Sequence, residues 1–393
     1  MLCVTGPPPS SAGFLTSRGP CPLRTSGTHD APTSHPRRFA QRPGGQRPGV
    51  TAVEQIPDGI RAGCPKRMVF GPCGGVRDDG GCEVAAQPCV FLDPPLPRWT
   101  GPVPPRPAPS ADGLLARSRR GPVVLSDLTV RPFDRACVRA VVGALAPVSD
   151  GLLIGEHQDR PDLPPTLMAA DVLAAGGRPW TTLACRDRNR LVLEQELAGL
   201  AEVGVDGVLC VTGDARGPGV RPGVTSVFDL DGTRLAALAA EAGLTVAVPE
   251  SPDAPPLALR PARVAEKQRA GAQLVVLNHV ASAARLAAFT AAARAAGATL
   301  PFVAAVAVYT DERSARVLQR FPGLHLDDAA VQRVLDAPDP VAAGIVAAVA
   351  EARALLAVPG VVGVNLSGLA SARDEETAAA VKAEVATRIR EGA

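Results

Sequence analysis

The chain has 393 residues, 46% hydrophobic and 20% charged, with a formal net charge of +2. This is the balance of an ordinary soluble protein of one or two domains, without the charge excess that recruits nucleic acid or an anionic membrane. Aromatic residues make up 3%, with two Trp and one Tyr, too few for stacking platforms or cation cages, so the core must be aliphatic.

No apolar run reaches the roughly 18 residues of a membrane span. The start MLCVTGPPPSSAGFLTSRGP has no basic segment followed by a continuous apolar one, so a cytoplasmic protein is expected. Residues 1–55 are rich in Pro, Gly, Ser, Thr and Arg, and Asp30 is the one acidic residue among the first 50. Such a segment buries too little apolar surface to offset its ordering entropy and is expected to be disordered, either a dispensable tail or the product of too early a start. A targeting segment is the lesser alternative.

Residues 56–95 hold CPKRMVFGPCGGVRDDGGCEVAAQPC, with Cys64, Cys73, Cys82 and Cys89 separated by eight, eight and six residues. A cytoplasmic chain seldom keeps disulfides, and so short a segment cannot build a core unaided, so a structural metal is the natural staple. Four thiolates suit zinc or an iron–sulfur cluster, and the spacing matches neither zinc ribbons nor ferredoxins, so the metal stays open beside the alternative of unligated thiols. A Pro-rich linker, PPLPRWTGPVPPRPAPSADG, dominates residues 96–117 and their approach.

From residue 118 to 393 apolar runs alternate with helical patterns. The runs are PVVLSDL (122–128), DGLLIGE (150–156), PWTTLAC (179–185), GVLCVTGD (207–214), LTVAVPE (244–250), QLVVLNHV (273–280), PFVAAVAVY (301–309) and VVGVNLSG (361–368). Between them, segments such as NRLVLEQELAGLAEVG carry apolar residues at helical spacing and end in Gly. Eight buried strands, each followed by a helix, predict a (β/α)8 barrel. A doubly wound sheet is the alternative, but PVVLSDLTVRPF lacks the Gly-rich turn that fold advertises.

In a barrel the C-terminal strand ends form the active site. Here they carry Asp127, Glu156, Arg186 with Asp187, Asp214, Glu250, Asn278, Tyr309 with Asp311, and Asn365. Carboxylates with few histidines suit acid–base chemistry or charge stabilisation around a cofactor more than a Ser-His-Asp triad. Asp187 and Asp311 are expected to be helix caps. Asp214 precedes ARGPGVRPG, a loop able to turn backbone N–H groups on an anion. Cys137, Cys185 and Cys210 read as small buried hydrophobes.

TLACRDRNR, GVDGVLCVTGD, VFDLDGTRL, AEKQRAGAQLVVLN and FPGLHLDD together resemble the flavin-dependent methylenetetrahydrofolate reductases in their short bacterial form, from about residue 120 onward. The CPK.M..GPCGG…G.CEV…C pattern is similar to the cysteine-rich domain fused to or partnered with such enzymes. The resemblance implies reduction of 5,10-methylenetetrahydrofolate to 5-methyltetrahydrofolate by FAD. NAD(P)H or a ferredoxin-type redox protein would be the donor, with Phe302 and Tyr309 the available rings for a nicotinamide; a homo-oligomer is possible.

It also implies roles. Asp127 stands where the family has a proton-donating Glu, and Asn278 where it has a folate-contacting Gln, each one methylene shorter; Asn365 is a further substrate residue. Asp214 matches the Asp beside the flavin ring, and Lys267 a Lys at the flavin phosphates. Thr182, Thr212 and Glu250 complete the cofactor set, Thr182 standing for a His or Gln and Thr212 for an Arg. The alternative is a non-catalytic or electron-delivering partner of a separate reductase. A zinc-dependent methyl transferase ranks last, since Cys185 alone lies close to a strand end.

Overall fold

The computed structural model describes residues 63–92, 95–106, 110–157, 159–216, 220–320, 324 and 326–392. The expected tail, residues 1–55, lies outside them.

Every apolar run forms a strand. The eight are β1 (Val123–Leu128), β2 (Gly151–Ile154), β3 (Pro179–Ala184), β4 (Gly207–Val211), β5 (Val246–Glu250), β6 (Leu274–Leu277), β7 (Phe302–Tyr309) and β8 (Val361–Ala370). They pair in parallel, in chain order, and β8 closes on β1 with Val123 opposite Gly363 and Leu125 opposite Asn365. The fold is a (β/α)8 barrel.

After a single helical turn, α1 (Leu114–Arg117), the outer ring runs α2 (Arg135–Leu145), α3 (Pro165–Ala174), α4 (Arg190–Val203), α5 (Gly232–Glu241), α6 (Arg260–Arg269) and α7 (Ala283–Ala295). Between β7 and β8 stand α8 (Glu312–Gln319), α9 (Asp328–Leu335) and α10 (Pro340–Leu356), and α11 (Glu375–Glu391) follows β8. Most helices begin where a short polar side chain accepts a first-turn N–H, among them Asp134, Asn189, Asp231, Ser282, Asp311, Asp339 and Asp374. No helix among the described residues is long and apolar enough to cross a membrane.

Two apolar layers follow from strand alternation. The helix-facing set, including Val124, Val208, Val246, Val248, Val275 and Leu277, packs against the outer ring, while the inward set fills the barrel with Val123, Leu125, Leu153, Trp180, Leu209, Leu274, Val276 and Val303. Trp180 is fully buried and donates Nε1 to Asp206 Oδ2 at 2.8 Å. A Cβ on Gly207 would sit 2.4 Å from its ring, so that position requires glycine.

The barrel core starts before residue 118. Leu114 and Leu115, at the end of the stretch expected as linker, join the inward layer, and Leu114 N–H bonds Asp206. With the interior filled by hydrocarbon, polar side chains enter the inward register only at its upper end, where Asp127 follows Val123 and Leu125, Asn278 follows Leu274 and Val276, and Asn365 and Ser367 follow Gly363.

Candidate functional site

One cavity opens at the C-terminal strand ends, and it is lined by Asp127, Thr182, Thr212, Asp214, Glu250, Lys267, Asn278 and Asn365. The topology thus brings together all eight catalytic, cofactor and substrate candidates of the barrel. Other expectations differ. Asp187 is not a cap: Asn189 caps α4, and Asp187 accepts Arg186 Nε at 3.0 Å and pairs with Arg216. Asp311 caps α8. Phe302 starts β7 with no exposure and packs on Phe289 and Arg294, so it cannot stack on a ligand at the other end of the strand. Tyr309 packs among Leu318, Leu324, Val331 and Val334.

Asp127 sits in a polar net. Asn365 Nδ2 donates to its Oδ1 at 2.8 Å and Ser367 Oγ to its Oδ2 at 3.1 Å. Lys382, from α11, donates to the Asp127 carbonyl at 2.8 Å. Ser367 was missed in the sequence, although its place two residues after Asn365 puts it on the same face. Asn278 Nδ2 donates to Ser251 Oγ at 2.7 Å. Thr182 Oγ1 and Asn365 Oδ1 are buried without a partner among the described residues. Both residues line the cavity, and an unpaired buried polar atom is the exception in a folded protein.

Thr212, Glu250 and Lys267, all expected cofactor residues, are held by contacts within the protein. Thr212 Oγ1 donates to Met68 Sδ (3.3 Å) and accepts from Gly232 N–H (2.9 Å). Glu250 follows Val246 and Val248 in the helix-facing phase of β5, so it points at α6, where Arg260, Arg263 and Lys267 surround it at 3.3, 3.1 and 2.8 Å. Burial alone would raise its carboxyl, but the charges of Arg263, Lys267 and Arg260 prevail and hold it well below the usual range. Lys267 also bonds the Pro249 carbonyl. Burial, then the Arg263 charge, lowers it to about 8 against the pull of Glu250.

The cysteine-rich segment forms a wall of the same cavity. Lys66, Met68, Cys73 and Gly74 line it, and none of the first, second or last was singled out from the sequence, although CPK.M contains two of them. Lys66 pairs with Glu83 and donates to the Gly213 carbonyl at 2.8 Å. Burial opposes its charge, but Cys73, Glu83 and Asp214 together raise its pKa.

Barrel side chains grip the module's backbone. Asp231 accepts Val69 N–H at 2.8 Å and Phe70 N–H at 3.4 Å. Arg260 donates to the carbonyls of Pro72 and Cys73, and Arg263 to that of Phe70. A Cβ on Gly75 would meet the Glu83 carboxylate, so a side chain there would displace Glu83 from Lys66.

Residues 59–93 match the family model described as methylene-tetrahydrofolate reductase C terminal. No curated protein matches the chain. Among solved structures, an uncharacterized protein from Clostridium thermocellum that binds two copies of 5-methyl-5,6,7,8-tetrahydrofolic acid is similar. Its TM-score is 0.51 at 11% identity, covering 71% of this chain and 99% of that one. A tryptophan synthase from M. tuberculosis gives a TM-score of 0.40 at 13% identity, over 70% and 95% of the two chains. At 11% identity the likeness to the Clostridium thermocellum protein is one of fold.

Within this reductase C-terminal-like module, Cys64, Cys73, Cys82 and Cys89 are free and line one small cavity. Cys82 Sγ accepts Val84 N–H at 3.5 Å. Burial, the largest effect, pushes Cys64 and Cys89 up and Cys73 to about 11, against nearby backbone N–H groups and the Lys66 charge, which favour the thiolates of Cys64 and Cys73. The donor chemistry fits zinc or iron. Among the described residues, however, no three Cys, His, Asp or Glu converge into a metal-ligating group. Cys73 and Lys66 line both this cavity and that of the barrel.

Titration of buried groups gives a stability prediction. Burial raises Cys64, Cys73, Cys89, Cys137, Cys185 and Cys210. Above the unfolded thiol value of about 8.5 the folded chain therefore keeps protons that the unfolded chain releases, and stability falls with rising pH. Lys267 and Lys382, both lowered to about 8, act oppositely up to about 10.4. With six groups against two, the denaturation midpoint of reduced, chelator-treated protein should fall between pH 8 and 10. Saturating zinc should flatten that fall if the module's thiols bind it as thiolates. A midpoint that rises over this range would contradict the assignment.

Proposed function

We propose that the barrel mouth is a reduced-folate site and that the chain takes part in flavin-dependent reduction of 5,10-methylenetetrahydrofolate to 5-methyltetrahydrofolate. The observation that carries this reading is that the module matched by the reductase C-terminal model walls the cavity holding Asp127, Asp214, Asn278 and Asn365. The Clostridium thermocellum protein that binds 5-methyl-5,6,7,8-tetrahydrofolic acid lends support by analogy of fold.

In this reading Asn278, Asn365 and Thr182 bind the polar edge of the pterin. Asp127 stands at the nitrogen that takes a proton when the five-membered ring opens, and Asp214 places negative charge near the cationic intermediate. Bound FAD would supply the hydride. Its fit to this chain is incomplete: Thr212, Glu250 and Lys267 are held by contacts of their own. The same observation favours a second reading, a folate-binding barrel that serves as a partner of a separate reductase.

A visible spectrum of protein purified without air, followed by titration with FAD and by calorimetry with 5-methyltetrahydrofolate, separates the two. Flavin absorbance, retained or regained, is expected for the enzyme, with a broad brown band beneath it if the thiols hold an iron–sulfur cluster. Folate binding by a protein that stays colourless with added FAD supports the partner reading. Absence of folate binding overturns both.

A further inference from the structure

Asp214 stands three residues beyond β4, which ends at Val211. The β3–β4 ladder pairs Ala184 with Val211, and Cys185 N–H bonds the Val211 carbonyl at 3.1 Å. Past the ladder, side chains take over, and two of them come from the cysteine-rich module. Lys66 Nζ donates to the Gly213 carbonyl at 2.8 Å, and Glu83 Oε1 accepts the Ala215 N–H at 2.7 Å. The first group belongs to the peptide plane before Asp214 and the second to the plane after it. Peptides are planar and leave only φ and ψ free between them, so fixing both planes fixes the backbone of Asp214. Arg186, from the barrel, reaches the Asp214 carbonyl at 3.4 Å, so the shorter grips are the module's.

Lys66 and Glu83 also pair with each other, which joins the two grips into one clamp. Their side chains are 3% and 10% exposed, so water competes little for either charge. Glu83 lines the small cavity among the thiols, with Cys73 Sγ 3.7 Å from its Oε2, whereas Lys66 and Asp214 line the barrel cavity. Lys66 lies two residues after Cys64, and Glu83 directly follows Cys82. The fold of the cysteine segment therefore dictates where the clamp closes.

We propose that Lys66 and Glu83 are positioning residues for Asp214, and that through them the cysteine-rich module sets where this carboxylate stands in the barrel cavity. That Asp214 meets a ligand rests on the folate reading above; the clamp rests on the geometry. Hydrogen bonds weaken steeply as distance and angle depart from the optimum, so a loosened Asp214 shows as lost affinity.

Calorimetry of the full chain with 5-methyltetrahydrofolate tests this in a double-mutant cycle. Glu83→Ala should bind about tenfold more weakly than the parent, the effect of one charge-assisted hydrogen bond. Glu83→Gln, which keeps an oxygen for the Ala215 N–H, should recover most of that loss. In an Asp214→Ala background, Glu83→Ala should change affinity by less than about twofold, because the group it positions is gone. The same effect in both backgrounds, or none in either, would overturn the proposal and leave the folate reading standing. A parent that does not bind overturns the folate reading, and amide exchange then decides the clamp: Ala215 should exchange about tenfold faster in Glu83→Ala with the β4 amides unchanged, and equal exchange overturns it. If Glu83→Ala does not fold, Gly75→Ala replaces it in both measurements, since its Cβ displaces the Glu83 carboxylate without removing a charge.

Discussion

Glu250→Ala is expected to destabilise the protein by about 3–5 kcal/mol, because it removes the one carboxylate among three buried cations. Arg260 is unexposed, and Arg263 and Lys267 are nearly so, so water cannot replace the lost charge cheaply. Arg260 and Arg263 also hold the module by the carbonyls of Phe70, Pro72 and Cys73. The damage should therefore spread beyond β5, loosening the wall that the module makes for the cavity. Amide exchange of residues 66–76 should rise before the barrel strands exchange.

Urea denaturation of parent, Glu250→Ala and Glu250→Gln measures the effect. Glu250→Gln keeps the size and two hydrogen-bonding groups but not the charge, and should fall between the others. A loss below about 1 kcal/mol for Glu250→Ala would mean that the cations find other partners, and the cluster would not be what joins module to barrel. If Glu250 instead holds a flavin, as the resemblance implies, Glu250→Gln would lower FAD affinity without a stability change of this size.

The barrel was legible because its signals are local. Eight apolar runs with helical segments between them reach the correct strands, and the strand-end rule finds Asp127 and Asn278 because their inward neighbours two and four residues before are apolar, while Asn365 follows Gly363 past a register shift in β8. Glu250 shows the limit of that rule: the final residue of a strand faces the cavity or the helices according to phase, and the phase of β5 turns it toward α6. Leu114 and Leu115 were hidden by the proline-rich stretch before them.

The remaining site residues depend on long-range contacts. Lys66 meets Gly213 across 147 positions, and Met68 meets Thr212 across 144. Glu83 gains its meaning only from Ala215, 132 residues on. Nothing in the neighbourhood of any of these residues announces its partner; only closure of the barrel and docking of the module bring them together.

Asp127→Asn is expected to lower turnover of methylenetetrahydrofolate by about 10²–10⁴, the range for loss of a positioned acid or base. Reoxidation of bound reduced flavin by a simple quinone needs no such proton and should survive. The structure adds a constraint. Both oxygens of Asp127 already take one donor each, from Asn365 and Ser367, which fixes the carboxyl group while each oxygen keeps a second lone-pair site for a proton. Ser367 has the weaker hold, at 3.1 Å against 2.8 Å, and its hydroxyl can rotate to accept instead of donate. Ser367→Ala should then leave turnover within a fewfold of the parent, whereas Asn365→Ala, which frees the other oxygen and removes a wall of the cavity, should raise KM as well. An Asp127→Asn protein as fast as the parent would remove Asp127 from the chemistry, and the proton would have to come from another group on the cavity.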